Sequence, residues 1–327
     1  GGRMLTRSGL VAAVAINGFQ EGEIVPHEKT FEAPILDRLQ IVEETRANLS
    51  PVFMMYDGKQ MTLEKKMIRH LNENFRKPFL QFQDLQGVKS KIWKIQDSAL
   101  EEEIQNYFQR KKLYIVDGHH RFATALAFRN RCQSQSNRSL DFVLCVISNM
   151  SDPGLVVYPI HRMLMKQKKF DVEGYLKSLK HYFVIKRKRS IPRLIQRHRW
   201  GMLFHGDSFY YELSLKKKTS REFFKKIHAN KLDVSILQEF IIPKSYHQDL
   251  RYTKSIGKGL EAEFTKLKEG KYEAIWLVRE PTLNQIKNIA DAHEVMPQKS
   301  TFFYPKVFAG ALIRCFNERS EFVFDSK

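Results

Sequence analysis

Residues 113–126 read Leu-Tyr-Ile-Val-Asp-Gly-His-His-Arg-Phe-Ala-Thr-Ala-Leu. An apolar run passes through Asp117, Gly118, His119, His120 and Arg121 directly into an Ala/Leu-rich stretch. The pattern predicts a buried strand, a tight polar turn and the start of a helix. Gly118 allows the turn and a close approach of ligand to backbone. The first N–H groups of a helix lack intrahelical partners and attract anions. Arg121 adds a planar fork of donors suited to phosphate oxygens. One carboxylate, two imidazoles and a guanidinium on one turn are groups for phosphate, metal or proton handling. A zinc site fits poorly, because adjacent His119 and His120 point to different sides and no Cys lies near in sequence.

Two further clusters carry polar chemistry. Pro26-His27-Glu28-Lys29-Thr30 places an acid beside a base in a segment that, taken alone, reads as a solvated loop. Met296–Lys306 contains Lys299, Ser300 and Thr301 between prolines. A rigid turn of that kind suits an anionic group, while Phe302 and Phe303 are equally explained by packing; both readings stand.

These groups need elements to hold them. Strands are expected at 10–16, 52–56, 113–116, 141–148 and 274–278, with helices at 36–49, 63–71, 99–110, 120–131, 234–242 and 282–293. The alternation predicts an α/β or α+β fold. The strand at Leu10 reads as interior, which suggests a preceding segment, and terminal strands at 308–313 and 321–324 are expected to close the chain. Pairing of the Leu10 and Phe308 strands would bring the 297–306 turn beside Asp117.

The chain has 327 residues and a formal charge of +19. Its length suggests two units of roughly 150 residues. Residues 166–231 hold nineteen Lys/Arg against five acids, so this stretch supplies +14 of the excess. Aromatic residues such as Tyr182, Phe183 and Trp200 are interleaved with them. Such a patch either tracks a polyanion or is simply a solvated basic surface. The expected division is a core of 1–165, a basic lobe or insertion at 166–231, and a segment 232–327 completing the core. Three distant cysteines exclude a disulfide scaffold or a Cys-x-x-Cys site and fit a reducing, cytoplasmic setting. No apolar run approaches the ~18 residues of a membrane span.

Several stretches in order resemble domain-of-unknown-function family 1015: His27–Thr30, Asp37-Arg38, Thr45–Pro51, Asp117–Arg121, Leu232–Leu237 and Met296–Lys306. The resemblance covers nearly the whole chain. The Asp-Gly-His-His-Arg turn is similar to that of the ParB/sulfiredoxin-like superfamily, and within it to free-serine kinases. The resemblance implies a ParB/sulfiredoxin-like mixed core, with the basic stretch as an insertion or second lobe. It implies ATP or ADP with Mg²⁺, and a small hydroxyl-bearing acceptor such as serine. Asp117 would hold the metal or the acceptor. Gly118, His119, His120 and Arg121 would grip phosphates, with His119 also counted among the catalytic groups. Glu28 would act as base beside Lys29. Arg46, Lys299, Ser300 and Thr301 would bind anion or substrate. The alternatives are a nucleotide-gated switch that grips nucleic acid through 166–231, and a non-catalytic ligand sensor.

Overall fold

A computed structural model of the chain describes residues 4–19, 22–28, 30–132, 138–166, 170–192, 194, 196–226, 231–254 and 258–316. The fold is mixed α/β and divides into two compact units. The first comprises Gly1–Val156 with Phe303–Lys327, the second Val157–Phe302.

The first unit is built on a five-stranded sheet. Its strands are β1 (Leu10–Ala15), β2 (Ile24–Val25), β3 (Val52–Tyr56), β4 (Leu113–Asp117) and β5 (Phe142–Asn149), in the order β1-β5-β3-β4-β2. β3 runs parallel to β5 and antiparallel to β4. The antiparallel register sets Phe53 opposite Asp117, so the entry to β3 lies beside the exit of β4. Every residue of β3 is buried, as expected of a central strand covered on both faces. Four helices accompany the sheet: α1 (Glu32–Thr45), α2 (Thr62–Asn74), α3 (Ser98–Phe108) and α4 (His119–Arg131). Phe122 and Ala125 of α4 pack into the cluster containing Val52, Met54 and Ile115. Leu39 of α1 meets Phe128 of α4 in a second cluster. Arg129 and Arg131 lie in the last turn of α4, where cations oppose the negative end of the helix dipole.

The second unit carries a six-stranded sheet. Its strands are β6 (His161–Met165), β7 (Phe183–Lys188), β8 (Arg199–Phe204), β9 (Tyr210–Leu215), β10 (Leu250–Thr253) and β11 (Tyr272–Leu277), in the order β7-β9-β8-β11-β6-β10. All neighbouring pairs are antiparallel. Helix α5 (Val172–Leu179), a short helix at Asp233–Ile236, α6 (Lys258–Lys268) and α7 (Leu283–Asp291) belong to the same unit. The helix at Asp233 runs into a π-turn at Leu237–Ile241.

The division falls at Val157 and Phe302, not at residues 165 and 231. The basic stretch does not stand as a lobe of its own. Gly201–Phe204 pairs with Ala274–Leu277, which joins it to residues beyond 231 in one sheet. Lys186, Arg187 and Lys188 lie on the edge strand β7, with Lys186 opposite Glu212. Charged edges of this kind discourage pairing with other chains.

Two strand expectations change, and a third cannot be compared. β1 pairs with β5 at the edge of its sheet and is half-buried rather than interior. Residues 308–313 form no strand and so do not pair with β1: Gly310 takes φ 79°, and Phe308 and Ile313 are exposed. The expected strand at 321–324 lies outside the described residues.

Candidate functional site

The corner between β4 and α4 is the chemically richest point in the first unit. Gly118 caps α4 in the left-handed region at φ 91° and ψ 27°, which a side-chain-bearing residue adopts only with strain. A Cβ at this position would meet the Arg121 guanidinium at 2.8 to 3.0 Å. Gly118 therefore both turns the chain and leaves room for Arg121 to fold back.

Arg121 folds back onto three partners. Nη2 donates to Asp117 Oδ2 at 2.8 Å, and Nη1 donates to Ser50 Oγ at 2.8 Å. Nη1 also donates to the Pro51 carbonyl. Ser50 and Pro51 are in reach because β3 begins where β4 ends. The other carboxylate oxygen, Asp117 Oδ1, takes the ammonium of Lys306. One carboxylate thus serves two cations. Desolvation lowers the Arg121 pKa, opposed by Asp117 and reinforced by the nearby charge of Arg38. The corner remains open to water, with the Arg121, Asp117 and Lys306 side chains 27%, 34% and 39% exposed.

The two imidazoles part company, as adjacent positions at a helix start must. His119 turns inward and is buried, edge-on to His27 with ring centroids 4.6 Å apart. Its Nε2 accepts from the His27 backbone N–H at 3.4 Å. Burial, with the charges of His120, Arg121 and Lys306, lowers its pKa to about 3. His27 is fully buried and its pKa also falls well below 6.5, first through desolvation and then through His119. His120 turns outward, stacks on Phe31, and accepts from the Phe31 N–H through Nε2 at 3.3 Å. The pair therefore fastens both ends of the segment that carries Glu28. Half-buried Glu28 lies in the chain between the two anchored N–H groups, those of His27 and Phe31.

The expected site residues separate accordingly. Asp117, Gly118, Arg121 and the segment bearing Glu28 come together. His119, expected among the phosphate-gripping and catalytic groups, is buried, and its Nε2 accepts from the His27 N–H. Asp117, expected to hold the metal or the acceptor, here has Arg121 on Oδ2 and Lys306 on Oδ1. Among the described residues, no three His, Cys, Asp or Glu side chains gather as a metal cage. Arg46 is the left-handed cap of α1, and its guanidinium lies over Phe128, seven positions beyond Arg121. Lys29 lies outside the described residues. Lys299, Ser300 and Thr301 belong to the second unit, where Ser300 is buried and donates to the Pro297 carbonyl. Sequence reasoning did not place Ser50 or Pro51 in the site, although both fall in the family-like stretches; Lys306, at the end of the 297–306 turn expected beside Asp117, does reach it, but without the strand pairing of Leu10 and Phe308 that was to bring it there.

The family described as "Protein of unknown function (DUF1015)" matches residues 2–235 of the chain. The chain belongs to this family. Among curated proteins none matches. Solved structures similar to this DUF1015 protein include free serine kinase in complex with AMP, at TM-score 0.44 and 12% identity over 93% of this chain and 91% of that one. A variant of free serine kinase in complex with ADP gives TM-score 0.46 and 11% identity over 93% and 91%. SbnI with a C-terminal truncation, from Staphylococcus aureus, gives TM-score 0.44 and 12% identity over 93% and 84%. Among the described residues of the DUF1015 chain, no helix is long and apolar enough to cross a membrane.

Proposed function

We propose that this DUF1015 protein binds the phosphates of ATP or ADP at the Asp117–Arg121 corner and transfers a phosphoryl group to a small hydroxyl-bearing acceptor such as serine. One observation carries the reading. Asp117 is shared between Arg121 and Lys306 at the N-terminus of α4, so the corner keeps a net positive charge that one carboxylate does not cancel. The Asp-Gly-His-His-Arg turn adds its resemblance to nucleotide-binding turns.

Phosphoryl transfer asks mainly for positioning and for positive charge on the equatorial oxygens. An arriving phosphate competes with Asp117 for Arg121 and Lys306 and also faces the first turn of α4. Neutral His119 and outward His120 keep the Glu28 segment in place. Glu28 takes the proton of the acceptor hydroxyl as the oxygen–phosphorus bond forms and the bond to the bridging oxygen breaks.

Calorimetry with ADP and ATP tests the binding step, comparing the natural chain with Lys306→Ala and Arg121→Ala. Phosphorus NMR of a mixture with ATP and serine tests turnover, which Glu28→Gln is expected to remove while nucleotide affinity stays. Unchanged nucleotide binding in both cation variants would overturn the site.

A further inference from the structure

The second unit buries a guanidinium with no acid paired to it among the described residues. Arg162, on β6, has no exposed surface. Its register partners are Trp276 of β11 and Tyr252 of β10, so it stands on an inner strand between the two. Nη1 donates to the Ile160 carbonyl, and Nε reaches Gln238 Oε1 at 3.3 Å. The Tyr252 ring lies 5.2 Å from the guanidinium carbon. Nη2 is buried with no hydrogen-bond partner. Desolvation lowers the pKa to about 10, so the group is a cation at neutral pH, and no carboxylate contributes to its electrostatics.

A charge taken out of water without an opposite charge is costly, and proteins do not normally leave one so. Gln238, the one side-chain acceptor of this cation among the described residues, sits in the π-turn at Leu237–Ile241, and such turns recur at functional sites. That turn continues the Leu232–Leu237 stretch. Ser235 is buried one helical turn before Gln238 and shares its helix face. Asp233 is engaged elsewhere, with His198 and Trp200. Tyr252, 39% exposed, covers the guanidinium on the edge-strand side and gives a way in.

We propose that Arg162 anchors a binding site for a small organic carboxylate. A single cation whose Nη2 is idle matches a monoanion, a carboxylate oxygen of which accepts from it. A phosphate dianion would leave surplus negative charge buried. The site lies wholly within the second unit and does not depend on the nucleotide reading.

Thermal melting of the full chain is followed with formate, acetate, lactate and serine, each against its uncharged amide at constant ionic strength, and with inorganic phosphate. At least one carboxylate is expected to raise the melting temperature with concentration, while its amide does not. Arg162→Met is expected to abolish the rise and, freed of an unpaired charge, to melt no lower than the ligand-free natural chain. If Arg162→Met does not fold, Arg162→Lys keeps the charge, loses the planar guanidinium with its Nη2 donors and is expected to bind the carboxylate about tenfold more weakly or worse. The proposal is overturned if no carboxylate shifts melting, if phosphate does so in place of every carboxylate, or if the shift survives undiminished in whichever variant folds.

Discussion

The ammonium of Lys306 lies on Oδ1 of Asp117, a residue 189 positions earlier in the chain. This pairing ties the returning C-terminal segment of the first unit to the exit of β4. It also means that the carboxylate between Lys306 and Arg121 orients two cations rather than neutralising them.

The two cations are expected to behave differently on removal. Lys306 is partly solvated, and an exposed ion pair contributes no more than about 1 kcal/mol. Lys306→Ala should therefore weaken nucleotide binding with little change in melting. Arg121→Ala also strips Ser50 and Pro51 of a charged donor and should cost about 1–3 kcal/mol of stability besides affinity. Calorimetric affinity beside denaturant melts separates the two. Equal stability losses in both variants would contradict this assignment of contacts.

Gly118→Ala combines backbone and side-chain conflict. The position needs φ 91°, and the new methyl would press on the Arg121 guanidinium. Holding a non-glycine residue there costs on the order of 1–3 kcal/mol. Lower stability together with weaker phosphate binding is expected, measured by urea unfolding and ADP calorimetry. A variant that melts like the natural chain would show that Arg121 is not confined as described.

Acid should unfold the protein through its buried imidazoles. His119 is lowered from 6.5 to about 3, His161 to about 4, and His27 well below 6.5, each first by desolvation. Lowered folded values mean the unfolded chain binds protons first as pH falls. The stabilising contribution is complete above about 6.5 and declines as pH drops toward the folded values, by up to about 1.4 kcal/mol per pH unit for each group. Stability against pH should slope accordingly, and His119→Gln should flatten it. A profile that stays level below pH 6.5 would show these rings to be solvated.

At the other end of β3, Tyr56 donates to buried Glu64, and Asn149 Nδ2 reaches both, at 3.2 Å to the phenol and 3.3 Å to the carboxylate. Burial first, then Glu64, raises the phenol pKa. Tyr56→Phe leaves the Glu64 carboxylate with one donor fewer in a dry place and should cost about 1–3 kcal/mol. Nucleotide affinity should not change, because Tyr56 stands opposite Leu113 while Asp117 lies opposite Phe53. Denaturant melts and calorimetry on one sample check both halves.

Local pattern alone determined the strand–turn–helix at Leu113–Arg131, because an apolar run, a glycine that can take positive φ and an alanine-rich helix are all short-range properties. The opposite directions of His119 and His120 and the family resemblance were legible in the same way. Only the tertiary structure decided which groups meet there. Ser50 and Pro51 reach the corner through strand pairing, which no spacing encodes, and Lys306, on a turn expected there, arrives on a chain return and not through the pairing of terminal strands. Arg46 looked equally cationic in sequence, yet the left-handed end of α1 turns it onto Phe128. The basic stretch suggested a separate lobe because charge is visible residue by residue. Its membership in a larger sheet rests on the pairing of Gly201–Phe204 with Ala274–Leu277, a contact between segments about seventy residues apart whose backbone hydrogen bonds leave no mark on composition.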